Sequence, residues 1–184
     1  MTFQYRKSFS VSMKITIRLC ERNDLRNLEW FGLFTPHREI LRSVFNRHLR
    51  GENVMLIADV NNFPIGQVWI DLKKKQREST GVLWALRVLP WLQKLGIGTR
   101  LVMTAEELLR HKGFTWSEMG VEIKNQRARR LYERLGYSPI GRVLEEYSFK
   151  TPDGEFTRVQ VDQFLMRKQL LSVSKSTQGW QERP

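Results

Sequence analysis

A single cysteine, Cys20, stands in the 184 residues, which excludes an intramolecular disulfide. Nowhere do apolar residues run on for the roughly 20 positions that a membrane-spanning helix needs. The opening residues Met-Thr-Phe-Gln-Tyr-Arg-Lys-Ser lack the apolar centre of a secretory signal. Both absences predict a cytoplasmic protein with no membrane partner. Zinc-ligand spacing, a helix-turn-helix pattern, aromatic-basic interleaving of the RNA-binding kind and internal repeats are all missing. Acidic residues are scarce, 19 against 31 lysines and arginines, for a formal net charge of +12. That surplus suits nucleic acid or a small polyanion. Arg38, Arg42, Arg47, Arg50, the Lys73-Lys74-Lys75 run and Arg127, Arg129, Arg130, Arg134 either form a stripe for RNA or cover solvated faces. The missing recognition patterns disfavour nucleic acid.

With 41% hydrophobic and 27% charged residues, the chain suits one folded unit able to bury a core. Residues 14–171 are expected to form it, with 1–13 a flexible tail in which Met13 is a candidate start, and 172–184 a polar tail. The chain is organised around residues 82–100. Residues 82–89 are a nearly continuous apolar run, the pattern of a strand buried on both faces, and Pro90 ends its ladder. Ile97, Leu101, Ala105 and Leu108, widened by Val102 and Leu109, then recur at helical spacing as a stripe that must face a sheet. Gly96 and Gly98 fall where that helix begins. Backbone N–H groups there have no side chains in front of them and sit at the positive end of the helix dipole, which favours phosphate.

Gln93-Lys94-Leu95-Gly96-Ile97-Gly98 resembles the Gln-x-x-Gly-x-Gly loop of the GNAT family of N-acetyltransferases, with Val88 at the usual five residues before Gln93. Residues 125–137, Asn-Gln-Arg-Ala-Arg-Arg-Leu-Tyr-Glu-Arg-Leu-Gly-Tyr, resemble that family's Asn-x-x-Ala-x-x-Leu-Tyr-x-x-x-Gly-Phe/Tyr segment. The motifs stand in the family's order, and with the flanking strands the resemblance covers roughly residues 14–170. It implies an acyl-CoA N-acyltransferase fold of mixed α/β (α+β) class: a mixed, mostly antiparallel sheet of six or seven strands flanked by about four helices. It also implies acetyl-CoA as cosubstrate, no metal, and an amine acceptor that is either a small molecule or a protein N-terminus. By the same resemblance, the backbone of Leu86, Arg87 and Val88 should pair with the pantetheine arm in a slot between two splayed strands. Gln93, Lys94, Leu95, Gly96, Ile97, Gly98 and Thr99 should wrap the pyrophosphate, with Lys94 or Arg100 lending charge, and Asn125 should contact the cofactor.

Elsewhere periodicity predicts the framework. Residues 14–19 alternate as a strand. Leu25, Leu28, Trp30, Phe31 and Phe34 read as helical after an N-cap at Asn23 or Asp24, and a second helix starts at Pro36 and carries Ile40, Leu41, Val44, Phe45 and Leu49 to Gly51. Residues 54–60 and 65–72 flank the hairpin signal Asn61-Asn62-Phe63-Pro64, and 73–80 read as a charged, solvated connection. Residues 114–123 form a strand parallel to 82–89, because helical crossovers are right-handed. Asn125 caps a helix with Ala128, Leu131, Tyr132 and Leu135 on its apolar face, its arginines on the other, and Gly136 at its end. Residues 137–149 and 156–167 flank the turn Thr151-Pro152-Asp153-Gly154.

Within the resemblance, Tyr132 is the candidate general acid. A phenol with a reference pKa of about 10 keeps its proton at neutral pH, yet gives it to a thiolate formed beside it. A plain core tyrosine is the alternative. The base stays open between Glu122, another carboxylate and water. Family members carry a glutamate six residues before the position of Val88, or five before that of Asn125, where this chain has Val82 and Gly120. Glu122 is nearest, but alternation sets it opposite Val121 and Ile123, where it serves equally as a structural ion pair. Trp30, Phe31, Phe34 and His37 are either an acceptor wall or plain core. The rival functions are a non-catalytic coenzyme A binder and a basic RNA- or ribosome-associated protein; monomer and homodimer both remain open.

Overall fold

The computed structural model describes residues 7–10, 12–151 and 153–170. Seven strands, β1 (Thr16–Leu19), β2 (Asn53–Val60), β3 (Phe63–Lys75), β4 (Thr80–Val88), β5 (Trp116–Glu122), β6 (Ser138–Lys150) and β7 (Phe156–Gln169), form one sheet in the order β1-β2-β3-β4-β5-β7-β6. The helices are α1 (Asp24–Asn27), α2 (Arg38–Leu49), α3 (Ile97–His111) and α4 (Gln126–Arg134). Neighbouring strands run antiparallel except β4 and β5, which α3 joins by a crossover and so makes parallel. The mixed class, the mostly antiparallel sheet and the four helices are those implied by the motifs.

β2 and β3 are apolar on both sides because helices cover both. On one face Leu101, Val102, Ala105 and Leu109 of α3 pack with Leu56, Val68, Ile70, Leu83 and Met119. On the other, Leu41, Val44 and Phe45 of α2 pack with Met55, Ile57 and Trp69. Each fully buried leucine contributes about 1.5–3 kcal/mol. A Cβ on Gly81 would overlap Leu109, so the missing side chain is what lets α3 lie close on β4. Arg18 ties β1 to α1 and β2, donating to Asp24 at 2.7 Å and Asp59 at 2.8 Å.

Three expectations are corrected. The helix expected to run through Phe34 stops at Asn27, because Trp30, Phe31 and Gly32 turn left-handed with φ of 43°, 57° and 96°. That turn buries the Trp30 ring and lets its indole N–H donate to the Pro64 carbonyl at 2.8 Å, an anchor that outweighs local periodicity. Asn23 makes no side-chain cap; the Asp24 carboxylate instead accepts from the Glu21 N–H at 2.7 Å. The charged connection is strand through Lys75, followed by a short turn at Gln76–Glu78, and Lys75 reaches the buried carboxylate of Glu118, which Arg167 meets at 2.8 Å.

Residues 1–6, 11 and 171–184 of the expected tails and domain end, and Pro152 of the expected turn, lie outside the described residues. Around that turn the Thr151 N–H donates to the Glu155 carbonyl at 2.8 Å. Among the described residues no helix is long and apolar enough to cross a membrane.

Candidate active site

β4 pairs with both neighbours only along its first half. Its parallel ladder with β5 ends at Leu83 and Met119. Towards β3 the register jumps: Trp84 faces Trp69 and Arg87 faces Gln67, so Ala85 and Leu86 stand against Val68 alone. This is a β-bulge, with Ala85 at φ 51°, and a bulge bends and twists the strand that carries it. Beyond it β4 and β5 are no longer paired. Residues 84–88, expected to be buried on both faces, are therefore half-buried around a gap. The strand motif implied the splay; nothing in the sequence marks Ala85 as its origin.

On the α3 and α4 side the gap opens into a groove of about 540 Å³ lined by Leu86, Arg87, Val88, Gln93, Lys94, Gly96, Ile97, Gly98, Thr99, Asn125 and Tyr132. That volume lies within the roughly 300–1,000 Å³ of small-molecule sites. Leu95 is the one expected cofactor residue outside it, 62% exposed, and Arg100 is exposed as well. Gly96 begins α3 at φ 80° and offers no capping side chain, so the first N–H groups of the helix are left for an outside acceptor. A Cβ on Gly98 would meet only Val88 and Leu131, at 3.8 and 3.9 Å. Gln93 fastens the loop: its Nε2 donates to the Val88 carbonyl at 3.1 Å, and its Oε1 accepts from Arg127 at 2.8 Å. Arg127 and Arg134, expected on the outer face of α4, line the groove. Among the described residues no carboxylate lines it, so N–H dipoles, Lys94 and three arginines, Arg87, Arg127 and Arg134, border the space together. A polyanion such as coenzyme A fits that charge.

A smaller notch of about 190 Å³ continues through the gap, lined by Trp84, Gly120, Glu122, Asn125, Tyr132 and Gln163 among others. Tyr132 borders both cavities. It is 7% exposed, its hydroxyl makes no hydrogen bond among the described residues, and burial pushes its pKa up to about 12. Tyr137, five residues on, is raised by burial too, but its hydroxyl shares a 2.7 Å hydrogen bond with Ser117. Only the first phenol is free to give its proton elsewhere. Asn125 caps α4, accepting from the Ala128 N–H at 3.0 Å. A Cβ on Gly120 would overlap the Gln163 amide, which donates to Glu145 at 3.2 Å. The Trp84 indole N–H is buried without a partner among the described residues. Glu122 is exposed at the notch, and among the described residues no cation pairs with it, which corrects the ion-pair reading.

The aromatic cluster divides. Trp30 belongs to the core, and Phe31 is exposed and stacks on Phe63 at 5.7 Å. Phe34 and His37 instead meet β4 and β6: the Arg87 guanidinium lies 4.3 Å over the Phe34 ring, and Phe149 is 4.5 Å from His37. Burial, then the charge of Arg87, pushes the His37 pKa down. Trp84, Phe149, Gln163, Arg127 and Arg134 were missed as site residues because strand pairing and the bulge, not sequence spacing, bring them here. Arg38, Arg42, Arg47 and Arg50 are held by Glu29, Glu39, Asp71 and Glu52, so they do not form a free stripe.

A strand pair splayed over a groove bordered by cations and a helix N-terminus, with a phenol free of partners among the described residues at the gap, is the frame of an acyl-group transferase. Residues 22–137 match the model of the acetyltransferase (GNAT) family, and the chain belongs to that family. It carries an acetyltransferase domain of that family. Mycothiol acetyltransferase of Beutenbergia cavernae is 36% identical over 76 residues, 41% of this chain. The chain matches only 25% of that relative's length. A ribosomal-protein-alanine N-acetyltransferase from Brucella melitensis superposes with a TM-score of 0.65 at 17% identity, over 84% of this chain and 99% of that one. The spermidine N-acetyltransferase from Vibrio cholerae, solved in complex with CoA and spermine, gives 0.63 at 18% identity, over 85% of this chain and 95% of its own. At such identities the likeness is one of fold.

Proposed function

We propose that this chain transfers an acetyl group from acetyl-CoA to a primary amine by direct attack, with Tyr132 as general acid and residues 14–171 as the catalytic unit. The observation that carries the reading is the unbonded Tyr132 hydroxyl at the junction of groove and notch. Acetyl-CoA is a substrate here and supplies the activated thioester. The N–H groups at the start of α3, with Lys94, Arg127 and Arg134, suit its pyrophosphate. The backbone of residues 86–88, left without a β5 partner, offers its pantetheine arm a strand edge. Tyr132 keeps its proton until the carbon–sulfur bond breaks, then gives it to the sulfur. The amine enters through the notch and loses its own proton there to Glu122, another carboxylate or water.

Trp84 and Gln163 are not bases, which bears on the acceptor. A lysine-like amine, with a reference pKa of about 10.4, spends about 4.6 kcal/mol to be neutral at pH 7, and an α-amino group near 8 about 1.4 kcal/mol. The second needs no strong base, so small-molecule α-amines and protein N-termini suit the notch best. The reading takes a cytoplasmic protein, monomeric or homodimeric, and gives nucleic acid no part in the reaction.

The test is a screen of amines by release of free thiol, run with wild type and Tyr132→Phe. Acetyl-CoA-dependent release with some amine, lost in the variant, is expected. No release with any amine, beside an intact coenzyme A melting shift, would return the chain to a non-catalytic binder.

A further inference from the structure

Among the described residues, half-buried cations come with carboxylates. Arg18 has Asp24 and Asp59, Arg47 has Glu52 and Asp71, Lys75 and Arg167 share Glu118, Arg110 and Lys168 share Glu106, and Arg129 has Glu133. Among the described residues Arg87 is the exception: half-buried like the rest, it has neither a carboxylate nor a hydrogen-bond acceptor. Taking a guanidinium out of water with no counter-charge is costly, and a fold has no reason to keep one that way for stability alone.

We propose that Arg87 holds the carboxylate of the acceptor, so that the amines acetylated here are amino acids or amines that likewise carry a carboxylate. The inference rests on the transferase reading above and names the substrate class of that site. After the bulge, Leu86 and Val88 pack with the core on the α3 side; Arg87 alternates with them opposite Gln67, so that it borders the groove while its guanidinium reaches across to Phe34. Its Cζ lies 4.3 Å from the centre of the Phe34 ring, and none of its N–H groups is taken by an acceptor among the described residues, which leaves the fork for a carboxylate. Phe34, His37 and Phe149 make the surrounding wall. A wall this apolar strengthens a charge pair formed against it. Burial and the neighbouring arginine keep His37 neutral, so the site presents one positive charge. One charge in a fork suits a carboxylate better than a doubly charged phosphate, and it repels a polyamine.

The test is thermal stability of the full chain saturated with coenzyme A, read against N-acetylated amino acids, each beside its primary amide. In at least one pair the acid should half-saturate at a concentration tenfold or more below its amide, and Arg87→Gln should erase the difference while Arg87→Lys restores part of it. Without ligands Arg87→Gln should melt at or above wild type, because it removes an uncompensated burial; a fall of several degrees would mean a structural arginine and overturn the proposal. Equal binding of acids and amides in every pair would overturn it too, as would a preference that survives Arg87→Gln. N-acetylated O-phosphoethanolamine beside N-acetylethanolamine forms the phosphate arm, and selectivity confined to that pair would overturn the carboxylate assignment. Should coenzyme A itself fail to stabilise the chain, the transferase reading falls and this one with it; a coenzyme A shift without any acid–amide difference sinks this one alone.

Discussion

The two sides of β4 are assembled in different ways. The groove on the α3 side comes from residues 86–99 and the face of one short helix, α4. The wall on the opposite side draws Phe34, His37, Arg87 and Phe149 from segments scattered from the first quarter of the chain to β6. A pyrophosphate asks for N–H groups and positive charge, which a glycine-bearing helix start supplies locally. Selecting one amine among many asks for a shaped, desolvated enclosure, and that requires side chains from several directions. Generic chemistry is thus written in runs of sequence, and selective chemistry in tertiary contacts.

The sharpest way to break this division is Tyr132→Phe, at the junction of the two sides. Loss of the proton donor should lower kcat by about 10² to 10⁴-fold, or roughly 2.7–5.4 kcal/mol of barrier. Stability should change by no more than about 1 kcal/mol, and the coenzyme A melting shift should persist. An unimpaired kcat on an acceptor from the amine screen would make Tyr132 a core residue only.

Next in size is the groove itself. At about 100 times its dissociation constant, acetyl-CoA should stabilise the fold by about 2.7 kcal/mol, raising the melting point by about 5–11 °C. Gly98→Val should abolish that shift and still fold, since a Cβ there meets only ordinary contacts at 3.8 and 3.9 Å. A shift of wild-type size in the variant would separate the glycine from the pyrophosphate.

Two other glycines sharpen the contrast between frame and acceptor side. Gly81→Ala forces Leu109 of the core to move and should cost about 1–3 kcal/mol in a denaturant titration. Gly120→Ala displaces only the flexible end of Gln163, so stability should hold within about 1 kcal/mol while KM for the amine changes. The reverse ranking of stabilities would contradict the view of Gly120 as part of the notch.

The phenol also sets a pH dependence. Its pKa rises from about 10 unfolded to about 12 folded, so the folded state holds the proton more tightly. That contribution is whole below pH 10 and lost as the pH climbs towards 12. Tyr132→Phe should therefore lose stability less steeply across that window than wild type, and identical slopes would argue against a buried phenol. The smallest effect is expected at the ends: deleting residues 1–12 and 173–184 should leave the denaturant midpoint nearly unchanged, and a loss of several kcal/mol would redraw the proposed limits of 14–171.

Much of the framework was legible because its causes are local. Asn125, Ala128 and Gly136 mark the start and end of α4, and the nearly continuous apolar runs mark β2 and β3. The helix expected through Phe34 was not, because Trp30 abandons helical geometry for one hydrogen bond to Pro64, a residue 34 positions away. Lys75 was misread for the same reason, since Glu118 lies 43 positions off. The groove residues were legible from their motifs; Arg127 and Arg134 were assigned to the wrong side because an arginine's reach exceeds what a helical face implies.

By itself the sequence determined most of the strands, the helices α2, α3 and α4, the parallel crossover, the glycine-bearing helix start and the candidate phenol, since each follows from neighbours a few positions apart. Only the tertiary structure decided that β4 bulges at Ala85 and that, among the described residues, Tyr132 is free where Tyr137 is tied and Arg87 stands half-buried without a counter-charge. Strand register, ring contacts and the pairing of buried charges are properties of the packed whole: they depend on which distant segments the sheet brings side by side, and no short window of residues carries that information.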